Sequence, residues 1–444
     1  MNFRFLYHYI QFFHNHIYYR KIEIKGKENI PDKNEATIIV ANHQNAINDP
    51  LALEFAFPDR AVNLFAHGAL FRNKIANSFF RSIHVIPAYR MRTDGEESLG
   101  KNYDEFASVE DKIFNGESVG IFPEATNQTS RFLGEFSLGY LRMAFAAAEK
   151  QNFEKDVKIL PVGLHYDNYH RFRHSLLVNI APPISLSPYY ELYKTKPRTA
   201  QRQVNEAVRN ALLSVMLDIP DAENYEAIDY LRNTYGIRYA TLKGLDYRVL
   251  SQKLKADQEL TAKLAESADT DNEIYKKGLE LKQKTLDAGL RDWIFTNKDS
   301  VGWLLCDALL LIFLLPLFLF FLIPNLIVFL APYTLYGKFD RIGEKFTMYR
   351  GGINIILSSL ITMPLAYIIA FIIDIFIFGI LIAIIKLIFS PWMLVFCWDY
   401  YNQARKLIFL IGSKMPSKKP IVTGIEKKRT QLWSELDNLL TKTL

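Results

Sequence analysis

A histidine and an aspartate in the segment ATIIVANHQNAINDPLAL have the residue types and spacing best suited to acid–base chemistry in this sequence. His43 follows an apolar run that predicts a buried strand, and Asp49 comes six positions later, directly before Pro50. An imidazole accepts a proton near neutral pH, and a neighbouring carboxylate fixes its tautomer and stabilises the cation that forms. The two side chains could therefore act as a general base and its orienting carboxylate.

The spacing of these two residues also permits a simpler role for the aspartate. Six positions on a regular helix turn by about 600°, which leaves two side chains about 120° apart, so a direct pair requires an intervening turn. Asp49 followed by Pro50 also fits a helix N-cap with proline at the first helical position, and a helix is expected to begin near Pro50. Both roles remain open from the spacing alone.

Two further polar segments follow apolar, strand-like runs. In GIFPEATNQTSR the loop carries Glu124, Thr126, Asn127 and Arg131, which could bind hydroxyls and phosphate oxygens or simply cap the helix that follows. In IHVIPAYRMR, Arg90 follows a β-rich run and could clamp a phosphate, or lie on the surface as a solvated side chain.

The elements that must position these groups alternate between strand and helix. Such alternation predicts an α/β domain with a mostly parallel sheet flanked by helices, in which functional groups lie on loops at the carboxyl ends of strands. Strands are expected at 21–26, 36–42, 62–66, 118–123, 158–164 and 175–184, and helices at 69–80, 103–115 and 135–149. A helix with an apolar stripe at Val204, Val208, Ala211, Leu212 and Val215 is expected to follow.

The segments NHQNAINDP, IPAYR, GIFPEAT and LPVGLHY, in this order and spacing, resemble the four-block signature of the glycerolipid acyltransferases. This family includes the glycerol-3-phosphate and lysophosphatidic acid acyltransferases, and the resemblance covers residues 20–184. It implies that His43 is the general base, Asp49 its orienting carboxylate and Arg90 a phosphate contact. It also implies that Phe122, Pro123, Glu124 and Thr126 form the acceptor-binding loop, and that Pro161 and Gly163 help to shape the acyl-donor site.

Departures from the common pattern concern the acceptor. Five residues separate His43 from Asp49, where four are usual, and this spacing resembles the subgroup of fungal glycerol-3-phosphate and dihydroxyacetone-phosphate acyltransferases. Ala125 stands where glycine is usual, and Asn127 stands where many members carry a phosphate-binding arginine. The expected acceptor is glycerol 3-phosphate or 1-acylglycerol 3-phosphate, with dihydroxyacetone phosphate or a lyso-aminolipid as the alternative.

The resemblance also implies a thioester donor, whose thiolate leaves readily enough that no covalent enzyme intermediate is required. Acyl-CoA or acyl-carrier protein would then serve as co-substrate, without a cofactor or a metal. The histidines lack the patterned cysteine or carboxylate partners of a zinc site. A net charge of +6 over 444 residues, without a dense Lys/Arg block, argues against nucleic acid and favours a membrane surface or a phosphate-bearing partner.

Residues outside the α/β domain divide into four regions. An interfacial amphipathic helix is expected at 1–19, where Phe5, Tyr9, Phe12 and Phe13 fall near helical spacing and could lie among lipid headgroups or pack on the domain. The acyltransferase domain is expected at 20–220, a charged helical insert at 221–299, membrane helices at 300–400 and a tail at 401–444. Within the insert the expected core contacts are Leu250, Leu254, Leu279 and Leu286.

Two apolar blocks, 301–333 and 352–397, each exceed the roughly 18 residues that suggest a membrane span. Pro316 and Pro324 make the first block either one kinked helix or a hairpin, and two spans are expected to meet near Asp374 in the second. The connector between the blocks and the tail are both basic and should be cytoplasmic, which favours two hairpins with the catalytic domain on the cytoplasmic face. Because intramembrane carboxylates are often functional, Asp374 also supports a rival class, a membrane scaffold or transport protein with a degenerate acyltransferase domain.

Overall fold

The computed structural model describes residues 4–45, 47–88, 109–124, 130–169, 171–266, 272–296, 300–339, 355 and 357–441. The chain forms two compact units. The first contains Met1–Asp218 and Leu335–Ser359, and the second contains Ile219–Thr334 and Leu360–Leu444.

A mostly parallel sheet forms the centre of the first unit. Its described strands are β1 (Lys21–Lys25), β2 (Ala36–Ala41), β3 (Val62–His67), β4 (Val85–Ala88), β5 (Ser118–Ile121), β6 (Val157–Tyr166), β7 (Ser175–Ile180) and β8 (Ile184–Ser185). The order is β1-β7-β6-β2-β5-β3-β4, and β8 pairs with β6. Strand β6 runs antiparallel to β7 and β8, whereas the neighbours β6, β2, β5, β3 and β4 are all parallel. The predicted α/β class and its mostly parallel sheet are confirmed.

Helices flank this sheet and bury its central strands. The described helices of the first unit are α1 (Arg4–Phe12), α2 (Asn48–Ala56), α3 (Lys74–Ser82), α4 (Gly139–Lys150), α5 (Tyr190–Thr195) and α6 (Pro197–Val215). All six residues of β2 are buried, as an uninterrupted apolar run in a covered parallel sheet should be. Of the stripe predicted on α6, Val204, Val208, Leu212 and Val215 are buried, whereas Ala211 is half-buried.

A glycine in β6 permits the close approach of the end of α6. A Cβ atom on Gly163 would lie 2.2 Å from the carbonyl oxygen of Val215, far inside van der Waals contact. Only a residue without a side chain fits there. Gly163 therefore has a packing role in addition to any role at the acyl-donor site.

The N-terminal segment forms α1 and then a π-helical turn, Phe13–Tyr18. Phe5 is 84% exposed, as an interfacial helix requires, but Phe13 is only 1% exposed. Of the two alternatives weighed for these aromatic residues, packing on the domain therefore applies to Phe13.

Helices α7 (Tyr225–Leu242), α8 (Leu250–Glu266), α9 (Asn272–Asp287), α10 (Trp293–Thr296) and α14 (Lys419–Thr441) belong to the second unit. Tyr235 and Arg238 on α7 both bond Asp437 on α14, at 2.6 Å and 2.5 Å, so the tail helix packs on the insert. Leu250 and Leu254 are buried as predicted, but Leu279 and Leu286 are exposed. The prediction for these two was wrong because α9 buries a different face, which carries Ile274, Gly278, Leu281 and Thr285.

Three helices of the second unit are long and apolar enough to cross a membrane: Val301–Ala331 within α11 (Val301–Phe339), Ser358–Phe378, which includes α12 (Met363–Phe378), and α13 (Ile380–Lys414). Helix α11 continues through both prolines, so the hairpin predicted for the first block is not observed. A turn inside hydrocarbon would leave backbone N–H and C=O groups without partners, whereas a helix that passes through a proline keeps most of them bonded.

The second apolar block does form a helical hairpin. Gly379 separates α12 from α13 at a positive φ of 83°, a backbone conformation that favours glycine. Lys386 reaches back to Asp374 at 2.6 Å, and the hydroxyl of Tyr367 donates to the carbonyl of Ser390 at 2.8 Å. The carboxylate on which the transport alternative rested thus has a cationic partner within the hairpin.

Candidate active site

The site lies at the carboxyl edge of three adjacent parallel strands, β6, β2 and β5. Asn42, at the exit of β2, exchanges two hydrogen bonds with the backbone of Leu164 on β6, at 3.0 Å and 2.7 Å. These bonds fix the direction in which the chain leaves the sheet. His43 is consequently held just beyond the edge, where the loop after β5 also begins.

His43 and Asp49 form a direct pair. The Nδ1 atom of His43 lies 2.9 Å from Oδ2 of Asp49, because the intervening loop turns the chain back on itself. Helix α2 begins at Asn48, its N-cap is Ile47, and no side chain caps it. Asp49 therefore lies inside the first turn and is not the N-cap, which corrects that alternative.

The Asp49 carboxylate is fully buried and receives four hydrogen bonds. Oδ2 accepts the His43 ring N–H and the backbone N–H groups of Gln44 and Asn45, at 2.9, 2.8 and 2.7 Å. Oδ1 accepts the hydroxyl of Tyr166 at 2.7 Å. A buried charge is tolerated only with such partners, and the N-terminal end of α2 adds a favourable dipole.

This arrangement assigns the two ring nitrogens of His43 different tasks. With Nδ1–H donated to Asp49, the lone pair of the neutral ring lies on Nε2, at the opposite edge of the imidazole. The ring stacks on Phe122, with centroids 4.2 Å apart and an angle of 17° between planes. The His43 side chain is 16% exposed. The geometry is that of a general base with its orienting carboxylate.

Glu124 lies beside this pair but contacts the main chain. Its Oε1 atom accepts the N–H of His43 and its Oε2 atom accepts the N–H of Gly134, each at 2.8 Å. Burial raises the pKa of the Glu124 carboxyl above its ordinary value, although both backbone bonds oppose that shift. Glu124 thus joins the loop after β5 to the loop after β2.

The structure brings together His43, Asp49, Phe122, Pro123 and Glu124 from the predicted set. Arg90 and Thr126 lie outside the described residues, although β4 ends at Ala88, just before Arg90. Within the described ranges, no three His, Cys, Asp or Glu side chains lie close enough together to hold a metal ion.

Two tyrosines around the site were not predicted to contribute to it, and one arginine has a different role from the one considered for it. Tyr166 bonds Asp49, and Tyr169 bonds Gln44 through its hydroxyl at 2.7 Å. Arg131, considered above as a phosphate ligand, is buried and donates to the carbonyl of Tyr166 at 3.0 Å. A signal for Tyr166 was present, since it ends the segment LPVGLHY, on a strand next to the one that leads to His43.

Part of this chain is similar to known acyltransferases. Residues 21–165 match the family model described as "Acyltransferase". Glycerol-3-phosphate O-acyltransferase 2 of Saccharomyces cerevisiae is 31% identical over 135 residues, which cover 30% of this chain and 18% of that protein. Glycerol-3-phosphate O-acyltransferase 1 of the same yeast is 25% identical over 30% of this chain and 18% of its own length.

Two further matched proteins are also acyltransferases by name. An uncharacterized acyltransferase of Schizosaccharomyces pombe is 30% identical over 34% of this chain and 22% of its own length. The crystal structure of the 1-acyl-sn-glycerophosphate acyltransferase from Thermotoga maritima aligns with 48% of this chain and 81% of that one, with 19% identity and a TM-score of 0.33. The chain spans about a fifth of the length of the curated relatives that it matches.

Proposed function

Because residues 21–165 match the acyltransferase family model and two matched yeast relatives are named glycerol-3-phosphate O-acyltransferases, we propose that this protein transfers a fatty acyl group to the hydroxyl of glycerol 3-phosphate or 1-acylglycerol 3-phosphate. The donor is a thioester, acyl-CoA or acyl-carrier protein, and the reaction belongs to phospholipid biosynthesis. The observation that carries the proposal is the 2.9 Å contact between His43 Nδ1 and the buried Asp49, which directs Nε2 away from the carboxylate.

The proposed mechanism needs one proton acceptor and no covalent enzyme intermediate. Nε2 of His43 removes the proton of the acceptor hydroxyl while the oxygen of that hydroxyl attacks the thioester carbonyl. Asp49 stabilises the imidazolium that forms. When the tetrahedral intermediate collapses, the carbon–sulfur bond breaks and the thiolate takes the proton from the imidazolium. General-base catalysis of this kind contributes about 10²- to 10⁴-fold to the rate.

The remaining predicted residues have positioning and binding roles in this proposal. Glu124 fixes the backbone of His43 through its 2.8 Å bond, and Phe122 supports the imidazole ring from one face. Arg90 and Thr126 are proposed, on the family resemblance, to bind the acceptor and its phosphate. Correct placement of the hydroxyl lowers the barrier through proximity.

Glycerol 3-phosphate is the first acceptor to test, because two matched relatives are named glycerol-3-phosphate O-acyltransferases. Dihydroxyacetone phosphate or a lyso-aminolipid is the alternative, because Ala125 and Asn127 depart from the usual pattern of the acceptor loop.

We also propose that the enzyme works at a lipid bilayer, with its α/β domain on the cytoplasmic face. The three apolar helices favour a bilayer, since side chains such as Phe313 and Phe376 are 79% and 86% exposed in the protein alone. A cytoplasmic site gives access to water-soluble acyl donors and to lipid acceptors in the same leaflet.

The test is an assay of the purified full chain with labelled acyl-CoA or acyl-carrier protein. Glycerol 3-phosphate, dihydroxyacetone phosphate, lysophosphatidic acid and a lyso-aminolipid are offered in parallel. We expect acylated product with one of the phosphate acceptors, its loss in His43→Ala, and wild-type turnover in His8→Ala, which removes an exposed histidine of α1. Full turnover in His43→Ala, or no product from any donor and acceptor, would refute the proposal.

A further inference from the structure

Tyr166 is the last residue of β6, and its side chain is completely buried. Its hydroxyl donates to Oδ1 of Asp49 at 2.7 Å, whereas His43 and the loop N–H groups all bond Oδ2. Tyr166 is therefore the side chain that engages the second oxygen of the catalytic carboxylate. It reaches Asp49 from a strand 117 residues away along the chain.

A second phenol packs beside Tyr166. Tyr19 accepts a hydrogen bond from the side-chain amide of Asn48 at 3.0 Å, and the centroid of its ring lies 6.2 Å from that of Tyr166. Burial raises the pKa of both phenols well above the ordinary tyrosine value, so both retain their protons over the whole working pH range.

The geometry of a carboxylate explains why the second oxygen matters. The terminal torsion of an aspartate is broad, so bonds to one oxygen alone leave rotation about that torsion poorly restrained. A donor on Oδ1 fixes the carboxylate plane and with it the direction of the bond to Nδ1 of His43. It also withdraws negative charge from Oδ2, which moderates how strongly Asp49 stabilises the imidazolium.

We propose that Tyr166 is a positioning residue for acyl transfer, which holds Asp49 through Oδ1 and so sets both the orientation and the basicity of His43. This inference rests on the proposed function of the site. It assigns to the end of the LPVGLHY segment a role in the general-base machinery.

The test compares Tyr166→Phe with Tyr140→Phe in the purified full chain. Tyr140 is a suitable control because it is also buried and its hydroxyl donates to the side chain of Asn205 at 3.0 Å. It lies on α4 and does not bond His43 or Asp49. For Tyr166→Phe we expect kcat to fall about ten- to a hundredfold with little change in KM for donor or acceptor. For Tyr140→Phe we expect wild-type kcat.

The pH dependence separates positioning from a purely structural role. Without the Tyr166 hydroxyl, more negative charge remains on Oδ2, and the imidazolium of His43 is stabilised more strongly. The acid limb of the pH–rate profile should therefore move to higher pH by about 0.5 unit or more. An unmoved profile with wild-type kcat would overturn the inference.

A third measurement applies if Tyr166→Phe does not fold. Fluorotyrosines of graded acidity incorporated at position 166 keep the ring and hydroxyl and change only the strength of the bond to Asp49. A graded shift of the acid limb supports the inference, and an invariant profile overturns it. Inactivity of the wild type with every substrate would instead refute the proposed function, so the two failures are distinguishable.

Discussion

The carboxylate of Glu124 accepts the backbone N–H of His43 at 2.8 Å through one oxygen and that of Gly134 at 2.8 Å through the other. Both oxygens therefore have main-chain partners, and Glu124 is only 5% exposed. These two bonds tie the loop that carries His43 to the loop after β5. The positions of His43 and of the predicted acceptor loop thus both depend on this side chain.

Replacement of Glu124 by glutamine should reduce both activity and stability. The amide nitrogen of Glu124→Gln would face a backbone N–H, so one buried donor loses its acceptor. We expect a loss of about 1–3 kcal/mol in the free energy of unfolding and a fall in kcat of at least about tenfold. Thermal unfolding and steady-state kinetics measure both, with the exposed Glu135→Gln as control. Wild-type kinetics in Glu124→Gln would show that catalysis does not need the two backbone bonds of Glu124.

Substitutions of Asp49 and His43 should separate catalysis from stability. In Asp49→Asn a neutral amide replaces a buried carboxylate that receives four hydrogen bonds, so we expect a loss of about 1–3 kcal/mol and a fall in kcat of about 10²- to 10⁴-fold. His43→Gln removes one of the four bonds to Asp49 but leaves the buried carboxylate in place, so its kcat should fall as far while its stability falls by less, about 1 kcal/mol. Chemical unfolding of both variants tests this contrast, which equal stability losses would contradict.

Glu54 on α2 should make the stability of the first unit depend on pH. Burial raises the pKa of this carboxyl from 4.5 to about 7, against weaker opposing bonds from Tyr7 and the backbone of Val62. Because the pKa is raised in the folded state, the stabilising contribution is complete below pH 4.5 and is lost as the pH rises through about 7. The free energy of unfolding should therefore fall by up to about 3 kcal/mol on this account.

The control for this prediction is the Glu54→Gln variant, which has no charge to bury. The difference in unfolding free energy between wild type and variant, measured from pH 4.5 to pH 8, isolates the contribution of Glu54. The free energy of unfolding of the variant should increase relative to that of the wild type as the pH rises. A constant difference over this interval would mean that the carboxyl titrates normally.

Removal of one member of the ion pair in the apolar hairpin should reduce stability more than removal of both members. Lys386 and Asp374 are 2.6 Å apart, with side chains 14% and 7% exposed. Lys386→Leu leaves a buried carboxylate without its cation, which should cost about 3–5 kcal/mol, whereas the double variant Asp374→Leu/Lys386→Leu should recover most of that loss. Thermal unfolding in one detergent measures both variants. A double variant no more stable than Lys386→Leu would contradict this account.

Local patterns in the sequence identified most of the elements of the α/β domain. The apolar runs at 36–42 and 118–123 became β2 and β5, because buried parallel strands are continuously apolar. The approximate start of α2 was equally visible, since Pro50 fits only the first turn of a helix. Prediction was weaker for α9, where a leucine at nearly every turn did not reveal which face would be buried. Leu279 and Leu286 proved to be exposed for that reason.

The sequence by itself determined that polar groups follow adjacent strands, that His43 stands at the end of one of them, and that the last third is apolar enough for a bilayer. These properties depend on neighbouring residues and on composition. Only the tertiary structure decided that Asp49 pairs with His43 rather than capping α2, that Glu124 binds main-chain N–H groups, and that Tyr166 engages Asp49. Such contacts join residues up to 117 positions apart, so their geometry depends on the order and register of the strands rather than on local spacing.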